Sequence, residues 1–175
     1  VNFNTSRYGR LQAACSIAPL GDWAEFGVGE GTTAKLLERY LPETKALHLF
    51  DSFEGLPVDG AYTIWTKGKF RSRVFKTKKP NVVVNVGLFE DVLPTYNFSN
   101  GLAFVHIDCD LYESTISVLS NIDRALVEQA IIVFDEMFAY PAWEEGEYKA
   151  LMEWGRPFQW LYKDEKVEQA IIRLI

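Results

Sequence analysis

Four carboxylates fall in two short clusters, each directly after an apolar run: Asp108 and Asp110 follow Leu102 to Ile107, and Asp135 with Glu136 follows Ala130 to Phe134. Carboxylates packed together repel, and each raises the pKa of the others. A divalent cation relieves that conflict, and oxygen-only ligands suit Mg²⁺ or Mn²⁺ rather than zinc, which prefers sulfur and nitrogen. Such a cation acidifies and orients a hydroxyl, whose proton a neighbouring carboxylate can accept. Asp110 has a competing structural reading as the N-cap of the helix that follows. A second chemical feature lies in Asp22 to Thr33, where Gly27, Gly29 and Gly31 alternate at the junction of a short apolar run and a helical one. Lacking Cβ, they let the backbone bend tightly and lie against a ligand. The helix starting at Thr32 aims its free N–H groups at whatever fills the bend.

Spacing restricts that ligand. The dinucleotide fingerprint G-x-G-x-x-G, counted from Gly27, requires glycine where Thr32 stands. Glu25, two residues before the first glycine, suits a cationic group such as an amino acid ammonium. Asp51 ends the next apolar run, Ala46 to Phe50, about 20 residues after the glycines, where nucleotide-binding sheets grip a ribose diol. Together these residues fit a ligand with an amino acid end and an adenosine end.

Glu25-Phe-Gly-Val-Gly-Glu-Gly31 together with Asp51-Ser-Phe-Glu-Gly-Leu-Pro57 resembles the class I S-adenosylmethionine-dependent methyltransferases. Val86-Gly-Leu-Phe-Glu-Asp-Val-Leu-Pro94, His106-Ile-Asp-Cys-Asp-Leu-Tyr-Glu-Ser-Thr115 and Val133-Phe-Asp-Glu136 are similar in order and spacing to the macrocin O-methyltransferase family, whose members methylate sugar hydroxyls with help from a divalent metal. The resemblance implies S-adenosylmethionine and Mg²⁺ or Mn²⁺ as cofactors. It places the metal on Asp108, Asp135 and Glu136, with Asp110 a fourth ligand or a substrate contact, and leaves Asp108 or Asp110 as the general base. On the cofactor side it implies Glu25 at the methionine ammonium, Gly27, Gly29, Gly31 and Thr32 along the backbone bend, and Asp51 at the ribose. Ser52 and Phe53 then line the ribose or adenine, and Gly87, Phe89 and Asp91 form the adenine-side loop. Relatives commonly carry two aspartates where this chain has Asp135 and Glu136.

The elements that must position these groups alternate along the chain, the pattern of a parallel sheet covered on both faces. Strands are expected at Trp23 to Val28, Ala46 to Phe50, Val82 to Val86, Leu102 to Ile107 and Ala130 to Phe134. Phe158 to Tyr162 and Gln169 to Leu174 read as a late antiparallel pair. Helices are expected at Tyr8 to Ile17, Thr32 to Leu41, Leu88 to Leu93, Ser114 to Glu128 and Glu144 to Trp154, with Thr32 capping the second and Pro42 following its last turn. The fold class is therefore α/β: a doubly wound, mostly parallel seven-stranded sheet with a terminal antiparallel strand, in one domain over residues 1–175.

At 48% hydrophobic residues in 175, the chain can bury a core unaided. A net charge of −6 argues against sequence-independent attraction to nucleic acid. Cys15 and Cys109 form no ligand-spaced pair, so both read as packing residues. His48 and His106 alternate with apolar neighbours and read as core. No charged-then-apolar leader or membrane-length apolar run is visible, giving the expectation of a cytoplasmic protein without a membrane span.

The connection from 52 to 80 is long and basic, with Lys67, Lys69, Arg71, Arg73, Lys76, Lys78 and Lys79 interleaved by Trp65, Phe70 and Phe75. Two readings stand: a solvated face, or a substrate-side flap that attracts an anionic acceptor. Phe138 to Trp143, just after Glu136, either packs the core, walls an acceptor pocket or supports a homo-oligomer. The expected partner is a small glycosyl or polyol acceptor. The competing functions are an NAD-dependent oxidoreductase and a non-catalytic cofactor-binding domain.

Overall fold

A computed structural model describes residues 1–175. Its strands are β1 (Asp22–Phe26), β2 (Leu47–Asp51), β3 (Val82–Val86), β4 (Leu102–Ile107), β5 (Leu126–Phe134), β6 (Phe158–Tyr162) and β7 (Ala170–Leu174). They form one sheet in the order β3-β2-β1-β4-β5-β7-β6, in which only β7 runs antiparallel to its neighbours. The chain steps outward from β1 to β3 and then crosses back to place β4 on the other side of β1. That reversal opens a crevice beyond the carboxyl ends of β1 and β4, where open α/β sheets bind ligands.

Helices α1 (Arg7–Cys15), α2 (Thr32–Tyr40), α3 (Phe89–Val92), α4 (Tyr112–Ile122) and α5 (Glu147–Trp154) cover the sheet. Alternation along the strands decides which helix meets which residues. Ala24, Phe26, Val105, Ile107, Ile132 and Phe134 pack with Val118 and Leu119 of α4 and Leu151 of α5. Trp23, Leu49, Phe104, Ile131 and Val133 pack with Leu11 of α1 and Leu37 of α2. The same parity carries Glu25 and His106, register partners on β1 and β4, to the α1 and α2 face. No helix is long and apolar enough to cross a membrane.

Three local expectations are corrected. The α2 cap is Gly31, in left-handed conformation with φ 78° and no side-chain bond, while Thr32 is already helical. Glycine is favoured there because that backbone region is costly for residues with a Cβ. Helix α4 ends at Ile122 rather than Glu128; a 3-10 turn follows, and Leu126 opens β5. Asp110 caps nothing, since the residue before α4 is Leu111 and no side chain bonds its first turn.

The 52–80 connection contains no helix or strand. Apolar anchors hold it instead: Phe53 and Phe75 enter the α1/α2 core layer, while Leu56 and Trp65 pack with Leu111 and Tyr140. The third motif glycine serves this anchoring, because a Cβ on Gly31 would run into the Phe75 ring. In the final third, Phe138 is fully buried, and Trp143, Trp154 and Trp160 lie partly buried against the same core.

Candidate active site

A cavity of about 380 Å³ lies over the crevice. One wall is the glycine bend, with Gly27, Val28, Gly29 and the start of α2 at Thr32 and Thr33; another is Asp51, Ser52, Gly87 and Phe89; the floor ends on Asp108, Asp110 and Glu136. The bend is held from below, as Asp51 Oδ2 accepts the N–H groups of Val28 (2.8 Å) and Gly29 (2.7 Å), and Oδ1 accepts that of Phe53 (2.7 Å). A carboxylate has about four lone-pair sites, so roughly one remains for a ligand hydroxyl. Gly27 abuts β4, where a Cβ would collide with the Asp108 carbonyl, and around Gly29 a Cβ would meet nothing within 4 Å.

Four of the expected cofactor residues stand off the cavity wall. Gly31 faces Phe75, as above. Phe53 is buried at φ 59°, and Asp91 is exposed on α3. Glu25 is fully buried, with Oε1 2.9 Å from His106 Nδ1 and Oε2 lacking a partner. Burial raises the Glu25 carboxyl above its usual range, against the opposing pull of His106 and the Thr33 hydroxyl. Thr33, not Glu25, presents this group's edge to the cavity.

The acids gather in two overlapping groups. Ligand-capable atoms of Asp108, Asp110 and Glu136 lie within 4.8 Å of one another, as do those of His106, Asp108 and Asp135. Consecutive residues beyond β5 thus face different neighbours. Asp135 is buried, its Oδ1 accepting from Gln169 Nε2 at 3.0 Å, and Gln169 Oε1 in turn accepts from Arg10 Nε at 3.0 Å. Its Oδ2 pairs with the Arg7 guanidinium, which also lies 3.6 Å from Asp108 and 4.0 Å from Glu136. Glu136 Oε2 is buried without a partner.

Asp110 sits at φ 62°, inside a tight turn closed by the Leu111 N–H and the Cys109 carbonyl at 2.6 Å. A non-glycine residue in that region stores strain, which is tolerated where the surroundings fix it. Burial, then the Asp108 carboxylate, push its pKa up to about 7, with Arg7 opposing. Burial and then Asp108 likewise raise Glu136 well above the usual carboxylate range. Oxygen donors that repel one another and include an unpartnered buried atom fit a hard divalent cation.

Sequence reasoning missed the residues that support these acids. Glu147 at the start of α5 is fully buried and spans both loops, Oε1 accepting the Cys109 N–H and Oε2 the Glu136 N–H, each at 3.2 Å. Burial, followed by Asp108, lifts its carboxyl well above the ordinary value. The signal was present: Glu147 shares one helical face with Ala150, Leu151 and Trp154. Arg10 likewise shares the buried face of α1 with Leu11 and Ala14.

A methyltransferase-domain model matches residues 24–137, which contain the glycine bend and both acid groups. The chain belongs to this methyltransferase family. No curated protein sequence matches it. Among solved structures, the O-methyltransferase NovP superposes with a TM-score of 0.73 at 21% identity, over 96% of this chain and 79% of that one. The apo form of CalS11, a TDP-rhamnose 3'-O-methyltransferase, gives 0.63 at 25% identity, over 95% and 76%. TomG from Streptomyces achromogenes, an O-methyltransferase solved with S-adenosylmethionine, gives 0.59 at 15%, over 94% and 76%. These likenesses share the doubly wound sheet, and the methyltransferase domain is built on it here.

A second cavity, of about 240 Å³, lies beyond Asp110. Tyr62, Trp65 and Tyr140 line it, together with the first turn of α4 and the approach to α5. None of Lys67, Arg71, Arg73, Lys76, Lys78 or Lys79 lines either cavity.

Proposed function

We propose that this methyltransferase transfers a methyl group from S-adenosylmethionine to a hydroxyl of a sugar or similar polyol, as the macrocin-type motifs imply. One observation carries the reading: a single cavity wall runs from the glycine bend and Asp51 to Asp108, Asp110 and Glu136. A donor held over the bend therefore has the acid group at its reacting end. Thr32, Thr33 and the free N–H groups of the first turn of α2 face the donor's amino acid end, Asp51 and Ser52 its ribose, and Gly87 and Phe89 its base. Glu25 stands behind this wall, fully buried beside His106.

Methyl transfer from a sulfonium is an in-line displacement, so the protein's contribution is alignment and removal of the acceptor proton. Asp110, whose pKa burial and the Asp108 carboxylate raise to about 7 in the metal-free protein, is placed to take a hydroxyl proton, and a cation on Asp108 would keep it ionised for that role at neutral pH. The strained turn holds its carboxyl in the wall shared by the two cavities. A divalent cation would be held by Asp108 and Glu136, whose group also contains Asp110, and would supply Lewis acidity toward the acceptor hydroxyl; Asp135, grouped instead with His106 and Asp108, would join as a ligand only by exchanging Arg7 for the ion. Arg7 and such an ion are alternatives at Asp135, because both satisfy the same carboxylate oxygen.

The test is transfer of a labelled methyl group from S-adenosylmethionine to a panel of free, lipid-linked and nucleotide-linked sugars, with Mg²⁺ or with chelator. The reading expects transfer that chelator abolishes and Asp110→Asn lowers by about 10²-fold or more. Transfer unaffected by chelator would remove the metal, and no transfer to any polyol would remove the acceptor class.

A further inference from the structure

We infer that the cavity beyond Asp110 is the acceptor subsite and that it selects sugars carrying no phosphate, a specificity that rests on the methyltransferase reading and narrows it. Position comes first. Asp110 is common to the walls of both cavities, so a ring seated in the second one can extend a hydroxyl past Asp110 to the acid end of the donor cavity, where in-line transfer requires it. At about 240 Å³ the space is below the roughly 300–1,000 Å³ usual for larger ligands, and suits one sugar ring rather than a nucleotide-linked one.

The wall chemistry agrees. Trp65 lies 4.8 Å from Tyr140, tilted by 41°, and 5.6 Å from Tyr62, edge-on at 63°, so the three rings form an angled aromatic wall braced by Leu56 and Leu111, with Tyr62 its more exposed member. Such a surface accepts the apolar C–H face of a sugar. Tyr140 is only 9% exposed, and its hydroxyl is buried with no hydrogen-bond partner. An unsatisfied polar group of this kind is costly, and a small outward movement of the ring away from Gly146 would let a sugar hydroxyl, which has both donor and acceptor, complete it.

Charge then separates sugars from sugar phosphates. Beyond Asp110 the cavity carries Asp59, Glu113 and Glu145, and its single basic residue is Lys149. That ammonium is already engaged, 2.9 Å from Glu145 and 5.0 Å from the centre of the Tyr112 ring. None of the basic side chains of the 52–80 connection lines this cavity. Lys69 donates to the Ile64 carbonyl at 2.8 Å, Arg71 pairs with Glu54 at 2.8 Å, and Lys79 donates to the Glu38 carbonyl of α2. The carboxylates outside the catalytic group keep this cavity negative whether or not a cation sits on Asp108 and Glu136, so a phosphate entering it meets repulsion without a partner.

Saturation-transfer NMR with methyl β-D-glucopyranoside, glucosamine, glucose 6-phosphate and TDP-glucose, in the presence of Mg²⁺ and S-adenosylhomocysteine, tests this. The two phosphate-free probes should bind at least ~10-fold more tightly than the two phosphorylated ones at low salt. Tyr62→Ala, on the more exposed ring, should weaken them by about 5-fold or more while S-adenosylhomocysteine affinity holds. Glu113→Gln with Glu145→Gln should narrow the gap. Equal or tighter binding of the phosphorylated probes, binding insensitive to Tyr62→Ala, or no binding by any probe overturns the inference. Loss of S-adenosylhomocysteine binding by the wild-type protein in the same samples would instead overturn the methyltransferase reading.

Discussion

Replacing Glu147 by glutamine tests how the acid loops are held. Both carboxyl oxygens of Glu147 accept backbone N–H groups, from Cys109 and from Glu136, at 3.2 Å each and out of contact with water. A glutamine amide can accept only one of them and turns its own N–H₂ toward the other. Leaving one buried donor unsatisfied costs about 1–3 kcal/mol. For a chain of this size that is a fall in Tm of roughly 2–12 °C. The deficit should depend on pH, with a sign fixed by linkage. Because the folded-state pKa of Glu147 is raised, the native protein binds more protons than the unfolded chain above the ordinary value of 4.5. The Glu147 contribution to stability is therefore fully present below that pH and is lost as pH rises toward the raised pKa. Glutamine carries no such proton, so the variant should be less stable than wild type at pH 4.5, by a margin that is smaller at pH 8. Urea denaturation in metal-free buffer at both pH values measures this. A variant as stable as wild type at low pH, or a deficit of equal size at both, would refute the reasoning.

Divalent cations should stabilise the protein more at pH 8 than at pH 5.5, since Asp110 loses its proton near 7 and an ion bound to the acids favours the charged forms; thermal melts with and without MgCl₂ check it, and a larger shift at the lower pH contradicts it. Arg7→Gln removes the guanidinium that pairs with Asp135 and neighbours Asp108 and Glu136. Mn²⁺ affinity, read by electron paramagnetic resonance, should rise by about 3–10-fold, and a fall would mean that Arg7 supports the site rather than competing at it. Gly31→Ala places a methyl group against the Phe75 ring at a φ of 78°. It should cost about 1–3 kcal/mol and make the basic 67–79 segment more susceptible to trypsin, and an unaltered digestion rate would contradict the anchoring role.

The sheet was legible because its strands are continuous apolar runs, and Val82–Val86, Leu102–Ile107 and Phe158–Tyr162 fall where those runs lie. The end of α4 was not. Leu126 to Gln129 carries helical spacing, yet the chain needs those residues to begin β5 beside Leu102. Asp108, Asp110 and Glu136 converge as their strand-end positions suggest, since β4 and β5 are neighbours. What local sequence conceals is direction. Two adjacent acids, Asp135 and Glu136, are recruited by different helices, through Arg7 in one case and Glu147 in the other. The glycine triplet is similarly divided: Gly27 lets β1 approach the Asp108 carbonyl, Gly29 opens on the cavity, and Gly31 makes room for Phe75. The Phe75 contact joins residues far apart in the chain, and no local pattern announces it.

Calorimetric titration of S-adenosylhomocysteine into the wild-type protein and into Gly29→Val addresses the central claim most directly, because only a ligand lying along the bend will meet the added side chain. The account predicts one site per chain in the wild type and at least a ~10-fold loss of affinity in the variant, with its fold verified by circular dichroism. No binding to the wild type, or equal affinity in a folded variant, would contradict it.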